Sequence, residues 1–201
     1  MLTLILGLFL FFAIHLVPTN PELRAGLVGR LGEARYKLVF VLVAIAGLAV
    51  IAVAFAKLHA MPGKNPVLWY PPAWTRHVAF TLMLPAFILL TAAYIPSRIR
   101  NAVGHPMLLA VMLWAVAHLV ANGDLAALLV AASFLTWAVY DLISAKRRQA
   151  LGPLGKAQPG SLLNDIAVVL IGTALYAIML LWGHAALIGV PITSISPGRF
   201  L

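Results

Sequence analysis

Residues Leu38–Ala56 read LVFVLVAIAGLAVIAVAFA, an uninterrupted apolar run that contains no charged side chain. A helix of about 20 such residues spans the hydrocarbon core of a bilayer, at a rise of about 1.5 Å per residue. The run is continuous instead of alternating, which favours a membrane helix over a strand of a membrane barrel. This stretch therefore predicts an integral membrane protein.

The rest of the 201-residue chain has the same character. It is 63% hydrophobic and 9% charged, with a mean hydropathy of +1.02. Soluble domains carry about a quarter charged residues, so a soluble enzyme is excluded, and so apolar a chain is not disordered. We predict a single all-α domain over residues 1–201, a polytopic transmembrane helix bundle of about six spans. The predicted spans are Leu2–Val17, Leu38–Ala56, His77–Ile95, Pro106–Ala121, Leu125–Ser144 and Asp165–Val190.

Turn-forming residues separate these segments. The tripeptide Asn122-Gly123-Asp124 predicts a tight turn, with Asp124 as the N-cap of the fifth span, so the fourth and fifth spans are expected to be antiparallel neighbours. The run that follows Met1 lacks a basic region and a small-residue cleavage site, and we expect it to be a retained helix. Small residues such as Gly47 and Gly172 allow close helix contacts, either within one chain or between chains.

The basic residues predict an orientation. The chain has 14 Lys and Arg against 5 Asp and Glu, a formal net charge of +9. Ten of the 14 follow the first, third and fifth spans, so the positive-inside rule places both termini outside and predicts anionic lipid as a partner. The aromatic loop Trp69–Trp74 is typical of anchoring at the lipid interface. No basic face with interleaved aromatics indicates nucleic-acid binding.

Several kinds of chemistry are excluded by residue type. The chain contains no Cys, which excludes disulfides, thiolate nucleophiles and Cys-ligated metals. We expect all five acidic residues to lie at helix ends or in loops, which excludes a carboxylate pair within the membrane. Neither a glycine-rich phosphate loop nor a nucleophile elbow occurs.

The six histidines are the unusual feature of so apolar a chain. His15 is predicted to share a helix face with Phe11, and His118 with Trp114; His184 is predicted to share one with Thr173 and Tyr176. In one interpretation these side chains hold helices together by hydrogen bonds. In the other, two imidazoles ligate haem iron inside the bundle. A bare metal site is less favoured, because three or more ligands would have to converge without a carboxylate.

Depth in the membrane limits which histidines can pair. His15 and His105 are predicted near one surface, and His77, His118 and His184 toward the other. Depth alone therefore pairs His15 with His105, or His118 with His77 or His184. A pair of His15 with His118 is offset by roughly 10–15 Å along the membrane normal, of which helix tilt absorbs part.

Several motifs along the chain point to a known family. The most specific stretch is Gly104-His105-Pro106-Met107, followed by Trp114, His118 and Asn122-Gly123-Asp124. Further motifs are Ile14-His15-Leu16-Val17-Pro18, Leu31-Gly32-Glu33, Trp69 to His77 with Pro71, Pro72 and Trp74, and His184 followed by Gly189-Val190-Pro191. In these motifs the chain resembles the NnrU family over essentially its whole length.

The resemblance implies an integral protein of the bacterial inner membrane, linked in denitrifying bacteria to nitrite and nitric oxide metabolism. The same domain forms a plant carotenoid cis–trans isomerase that uses haem b. By motif, its ligands correspond to His15 and His118 here; we rank His105 and His77 behind them as cofactor-binding candidates. That enzyme also exchanges a cysteine for a histidine ligand, whereas this chain has Ala115 three residues before His118 and no Cys.

Three functions follow as expectations. The first is a haem b-binding membrane protein of nitrite and nitric oxide metabolism. The second is a haem-dependent cis–trans isomerase acting on a hydrophobic polyene, which a thiolate-to-imidazole exchange cannot assist here. The third is a cofactor-free assembly factor for a membrane oxidoreductase, in which the histidines only pack.

Overall fold

The computed structural model describes residues 1–150, 159–189 and 192, and these are overwhelmingly helical. This confirms the prediction of an all-α helical bundle. The α-helices are α1 Leu2–Leu16, α2 Pro21–Leu31, α3 Glu33–Ala60, α4 Thr75–Ala92, α5 Arg98–Val103, α6 Pro106–Ala121, α7 Leu125–Arg147, α8 Leu162–Ile178 and α9 His184–Ile188. A 3₁₀ turn, Val17–Thr19, follows α1, and a π-helical segment, Met179–Gly183, joins α8 to α9.

Within the described residues, five helical stretches are long and apolar enough to cross a membrane. The sixth predicted span, α6, begins and ends where the sequence predicts but has only 16 residues. The five stretches are Leu2–Thr19, Glu33–Ala60, Thr75–Ala92, Leu125–Arg147 and Leu162–Ile188. The count of six spans and the outside termini stay predictions.

Two short helices were not predicted. The helix α2 begins after Asn20, whose side chain accepts a hydrogen bond from the Leu23 N–H, and α5 begins after Ser97, which caps the Arg100 N–H in the same way. Hydropathy missed both because they are short and polar, while their caps are local hydrogen-bonding signals. The predicted loop Gly152–Gly160 lies mostly outside the described residues, as do Lys156, Val190, Pro191 and Arg199.

The long helices pack as a row of neighbours. Helix α3 packs on α1, both contact α7, and α7 packs on α6, followed by α4 and then α8. We call one end of this bundle the basic end: it holds the last turns of α1, α4 and α7 and the first turns of α3 and α6. The other end, which holds the loop between α3 and α4 and the α6–α7 turn, is the opposite end.

Glycines set the closest helix contacts. A Cβ on Gly47 of α3 would lie 2.8 Å from the Phe11 nitrogen of α1, and a Cβ on Gly172 of α8 would lie 2.6 Å from the Ile88 Cα of α4. Both glycines therefore serve contacts within one chain, which settles the alternative left open by the sequence. Because lipid gives apolar helices no hydrophobic reason to associate, close backbone packing of this kind is what holds them.

The α6–α7 turn is tied to the loop before α4. The carbonyl of Gly123 accepts hydrogen bonds from the N–H groups of Leu68 and Trp69, and the indole N–H of Trp69 donates to the Asn122 carbonyl at 3.0 Å. The Asp124 side chain accepts from the Ala127 N–H at 2.9 Å, which confirms the predicted N-cap. The loop that was interpreted as an aromatic anchor thus also closes the opposite end of the bundle.

Candidate functional site

Three helices carry the same local unit, an aromatic residue followed four positions later by a histidine. Residues four apart lie on one helix face, so each imidazole packs on the ring one turn earlier. Ring centroids are 4.0 Å apart for Phe11 and His15, 4.1 Å for Phe55 and His59, and 4.5 Å for Trp114 and His118.

The same turn orients each imidazole through a hydrogen bond. The Nδ1 atom of His15 lies 2.7 Å from the Phe11 carbonyl oxygen, and that of His118 lies 2.8 Å from the Trp114 carbonyl oxygen. Since a carbonyl oxygen can only accept, Nδ1 carries the proton and Nε2 carries the lone pair. A histidine that ligates a metal through Nε2 commonly makes this bond to a backbone carbonyl.

The third unit differs at Nε2. The Nε2 atom of His59 lies 3.4 Å from Asp124 Oδ1 and 3.4 Å from the Asn65 amide nitrogen. Asn65 also donates to Asp124 at 2.7 Å and accepts from the Ala126 N–H at 2.9 Å. For His15 and His118, by contrast, no described residue makes a hydrogen bond with Nε2. Two of the three imidazoles are therefore available as ligands, and the third is used in a structural cluster.

Asp124 is the charged centre of that cluster. Burial raises the pKa of its carboxyl group, but hydrogen bonds from His59, the Ala127 N–H and Asn65 outweigh burial and lower the pKa from 3.8 to about 2. The sequence predicts the capping role of Asp124 but not its partners His59 and Asn65, which lie far from it along the chain.

A row of ring contacts joins the two available imidazoles. Phe134 of α7 lies 5.2 Å from Phe11 and 5.5 Å from Trp114, measured between ring centroids. Because α1 and α6 run in opposite directions, His15 lies on the basic-end side of this row and His118 on its other side. The ligand pair implied by the family resemblance is thus separated by three aromatic rings. The pairing stays a prediction.

His15 is enclosed by aromatic side chains at the basic end. Besides Phe11, its ring contacts Phe40 of α3 at 5.1 Å and Trp137 of α7 at 5.4 Å. Asp141 of α7 lies within electrostatic reach of both His15 and His105. Asp141 lies inside α7, about two turns before the helix ends at Arg147, so the expectation that it lies at a helix end is wrong. Its carboxylate pairs with Arg148 at 3.3 Å.

His105 and His77 occupy different surroundings. His105 is the N-cap residue of α6, and it follows Gly104, whose φ of 73° and ψ of −51° form a γ-turn that only glycine adopts readily. His77 is an exposed residue in the first turn of α4, with its ring 6.5 Å from Phe80. Within the described part of the chain, neither ring packs against Phe11, Phe134 or Trp114.

His184 lies close enough to His118 for the two rings to interact electrostatically. The π-helical segment before it changes the helix register, so the predicted shared face with Thr173 is wrong: Thr173 is exposed. Within the described residues, no group of three or more His, Asp or Glu side chains is arranged to hold a metal ion.

Comparison with known proteins identifies the family. The family model described as NnrU protein matches residues 3–192. The chain belongs to the NnrU family. No curated protein and no solved structure matches the chain. The match covers both aromatic–histidine units with an available Nε2, so they belong to the NnrU domain itself.

Proposed function

We propose that this NnrU-family protein binds haem b in the bacterial inner membrane, that His118 would be one of the residues that hold the iron, and that the protein serves nitrite or nitric oxide metabolism. The observation that carries the proposal is the state of the His118 ring. It is half-buried among apolar helices, its Nδ1–H is held by the Trp114 carbonyl, and its Nε2 has no hydrogen-bond partner among the described residues.

The chemistry of the available donors fits haem better than a bare metal ion. A porphyrin supplies four ligands of its own, so the protein needs to provide only one or two imidazoles, together with apolar and aromatic walls. Haem iron, when bound, would supply reversible electron transfer, and if only one imidazole held it, a position for a diatomic ligand. The chain's own contribution is to orient the imidazole, exclude water and present aromatic surface.

The histidines that could act as a second ligand differ in how close they lie to His118. His184 lies near it, whereas His15 lies beyond Phe134 and Trp114. His105 is at the basic end, and His77 is exposed on α4. We therefore propose that His118 is one of the two ligands, whichever histidine is the other. The family resemblance implies His15 as the other ligand.

The test is the absorption spectrum of the protein purified in mild detergent, oxidised and then reduced with dithionite. We expect a Soret band with sharp reduced α and β bands, and we expect His118→Ala to abolish it. The matched control is His59→Ala, because His59 has the same aromatic neighbour and the same Nδ1 bond but its Nε2 faces Asp124. That variant should keep the Soret band.

His15→Ala, His105→Ala and His77→Ala complete the set and identify the second ligand. A protein that stays colourless after haem addition would overturn the proposal and leave the assembly factor for a membrane oxidoreductase as the better interpretation. If haem binds, incubation with a cis-polyene under reducing conditions tests isomerase activity, and an unchanged isomer ratio would exclude it.

A further inference from the structure

An acidic side chain lies within α7, one of the helices long and apolar enough to cross a membrane. The Asp141 side chain is only 21% exposed, and it pairs with Arg148, whose side chain is 24% exposed. A carboxylate in an apolar span is unfavourable, so such residues are rare and commonly belong to functional sites. The pairing with Arg148 explains how the charge is tolerated, but it does not explain why this position of α7 carries an acid.

Asp141 faces the end of α1 that carries His15. One turn before Asp141, the Trp137 ring lies 5.4 Å from the His15 ring, measured between centroids. Three residues after Asp141, the Ser144 hydroxyl donates to the Thr19 carbonyl at 3.4 Å. Residues three and four apart share a helix face, so these two contacts bracket Asp141 and place it on the side of α7 that meets α1. Its carboxylate lies within electrostatic reach of the His15 imidazole.

His105 is a second histidine near the same carboxylate. Helices α6 and α7 are joined by the turn at Gly123, which lies 18 residues after His105 and 18 residues before Asp141. Two antiparallel helices joined by a tight turn place residues equidistant from that turn at the same level, and α6 packs on α7. The Asp141 carboxylate is accordingly within electrostatic reach of His105 as well. One negative charge therefore acts on His15 and on His105.

Hydrogen bonds hold this charge in place. The guanidinium of Arg148 donates to Asp141 at 3.3 Å and, through Nε, to the Ser144 hydroxyl at 3.0 Å. Because Ser144 is itself bonded to Thr19, the end of α7 is tied to the end of α1. An exposed ion pair is mobile and screened by solvent and salt, whereas a mostly buried pair held at several points is screened much less. The Asp141 carboxylate therefore alters the energy of any charge that forms beside it.

We propose that Asp141 sets the reduction potential of the haem by placing a negative charge beside the ligand at the basic end. The inference rests on the proposed function and deepens it, with His15 or His105 as the second ligand. Oxidised haem iron carries one more positive charge than reduced iron, so a nearby carboxylate stabilises the oxidised state and lowers the reduction potential. Asp141 acts through the histidine and does not ligate the iron itself.

The experiment is a redox titration of the detergent-solubilised holoprotein at pH 7, followed by the reduced α band. At the midpoint potential of the parent protein, we expect Asp141→Asn to raise the ratio of ferrous to ferric haem about tenfold, the scale of one unit charge acting between neighbouring helices. For a one-electron couple this is a shift of about 59 mV. Arg148→Gln should shift the potential in the opposite direction, and Asp141→Glu, which keeps the charge, should stay close to the parent value.

The matched control is Asp165→Asn, which should keep the parent potential. The Asp165 side chain is 16% exposed and pairs with an arginine, Arg98, at 3.0 Å, but it is bonded to the start of α5. A protein that binds no haem overturns the proposed function and this inference with it. In a haem-loaded protein, an unchanged potential in Asp141→Asn, an equal shift in Asp165→Asn, or a shift of the same sign in Arg148→Gln overturns this inference alone.

Discussion

The two ends of the bundle differ in whether their buried polar groups are hydrogen-bonded. At the opposite end, Asn65, His59 and Asp124 bond to one another and to backbone N–H groups, and the turn at Gly123 is bonded to the loop before α4. At the basic end, Tyr36 and Trp137 bury donors that have no partner among the described residues. A polar network in which every group is hydrogen-bonded stabilises a fold. Buried polar groups without hydrogen-bond partners lower stability, and proteins tolerate them mainly at functional sites. The satisfied polar network therefore lies at the opposite end, and the buried donors without partners lie at the basic end.

The largest effect is expected at Gly123. A Cβ there would clash with the Trp69 carbonyl oxygen, a backbone atom that cannot rotate away. Gly123→Ala should therefore destabilise the protein by about 3 kcal/mol, the upper range for inserting a methyl group into a packed site. Unfolding in detergent, followed by circular dichroism, measures this loss.

The control for that variant is Gly26→Ala in α2, where nothing lies within 4 Å of the new methyl group. It should be neutral or slightly stabilising, because alanine favours a helix over glycine. Equal stability of the two variants would show that the opposite end is not held as the structure describes.

The next largest effect is expected from Asp124→Ala. This change removes the N-cap of α7 and the carboxylate partner of both His59 and Asn65. A cap alone contributes about 1 kcal/mol, and two partners left without a bond bring the expected loss to about 2 kcal/mol. His59→Ala is the comparison, and we expect it to lower the free energy of unfolding by less than Asp124→Ala does. An equal decrease in the two variants would contradict the central role of the Asp124 carboxylate.

A pH dependence should accompany this cluster. The folded-state pKa of Asp124, about 2, lies below the ordinary value of 3.8, so its stabilisation is present above pH 3.8 and is lost as the pH falls through about 2. After solvent screening we expect a loss of about 1 kcal/mol over that window. Unfolding of the parent protein and of Asp124→Asn at pH 5 and pH 2.5 measures it. A parallel decline in both proteins would assign the loss to other groups.

The smallest effect is expected at the basic end. Tyr36→Phe removes a buried O–H donor that has no partner among the described residues and retains the phenyl ring. This variant should match the parent protein or exceed its stability by less than about 1 kcal/mol. A loss of more than that in the unfolding experiment would mean that the Tyr36 hydroxyl does bond within the fold, and the contrast between the ends would disappear.

The sequence predicted most of the long helices of the fold. Continuous apolar runs predicted the long helices, and α6 matches its prediction residue for residue because Pro106 and Asn122 mark its ends. The spacing of Phe11 with His15 and of Trp114 with His118 also predicted the faces that they share. The helices α2 and α5 and the π-helical segment were missed, because a hydropathy pattern carries little information on short polar helices or on a local change of helical register.

By itself, then, the sequence determined that this is a helical protein with apolar spans suited to a membrane. With six histidines and no cysteine, it also predicted that any metal ligands are imidazoles. Only the tertiary structure decided which imidazoles are available. Within one helix the periodicity dictates neighbours, so each aromatic–histidine unit follows from spacing. Between helices, the neighbours of a side chain depend on which backbones approach closely. This tertiary packing brings Asp124 to the Nε2 of His59 and Phe134 into contact with Phe11 and Trp114. It also buries two polar groups without partners, those of Tyr36 and Trp137, at the basic end.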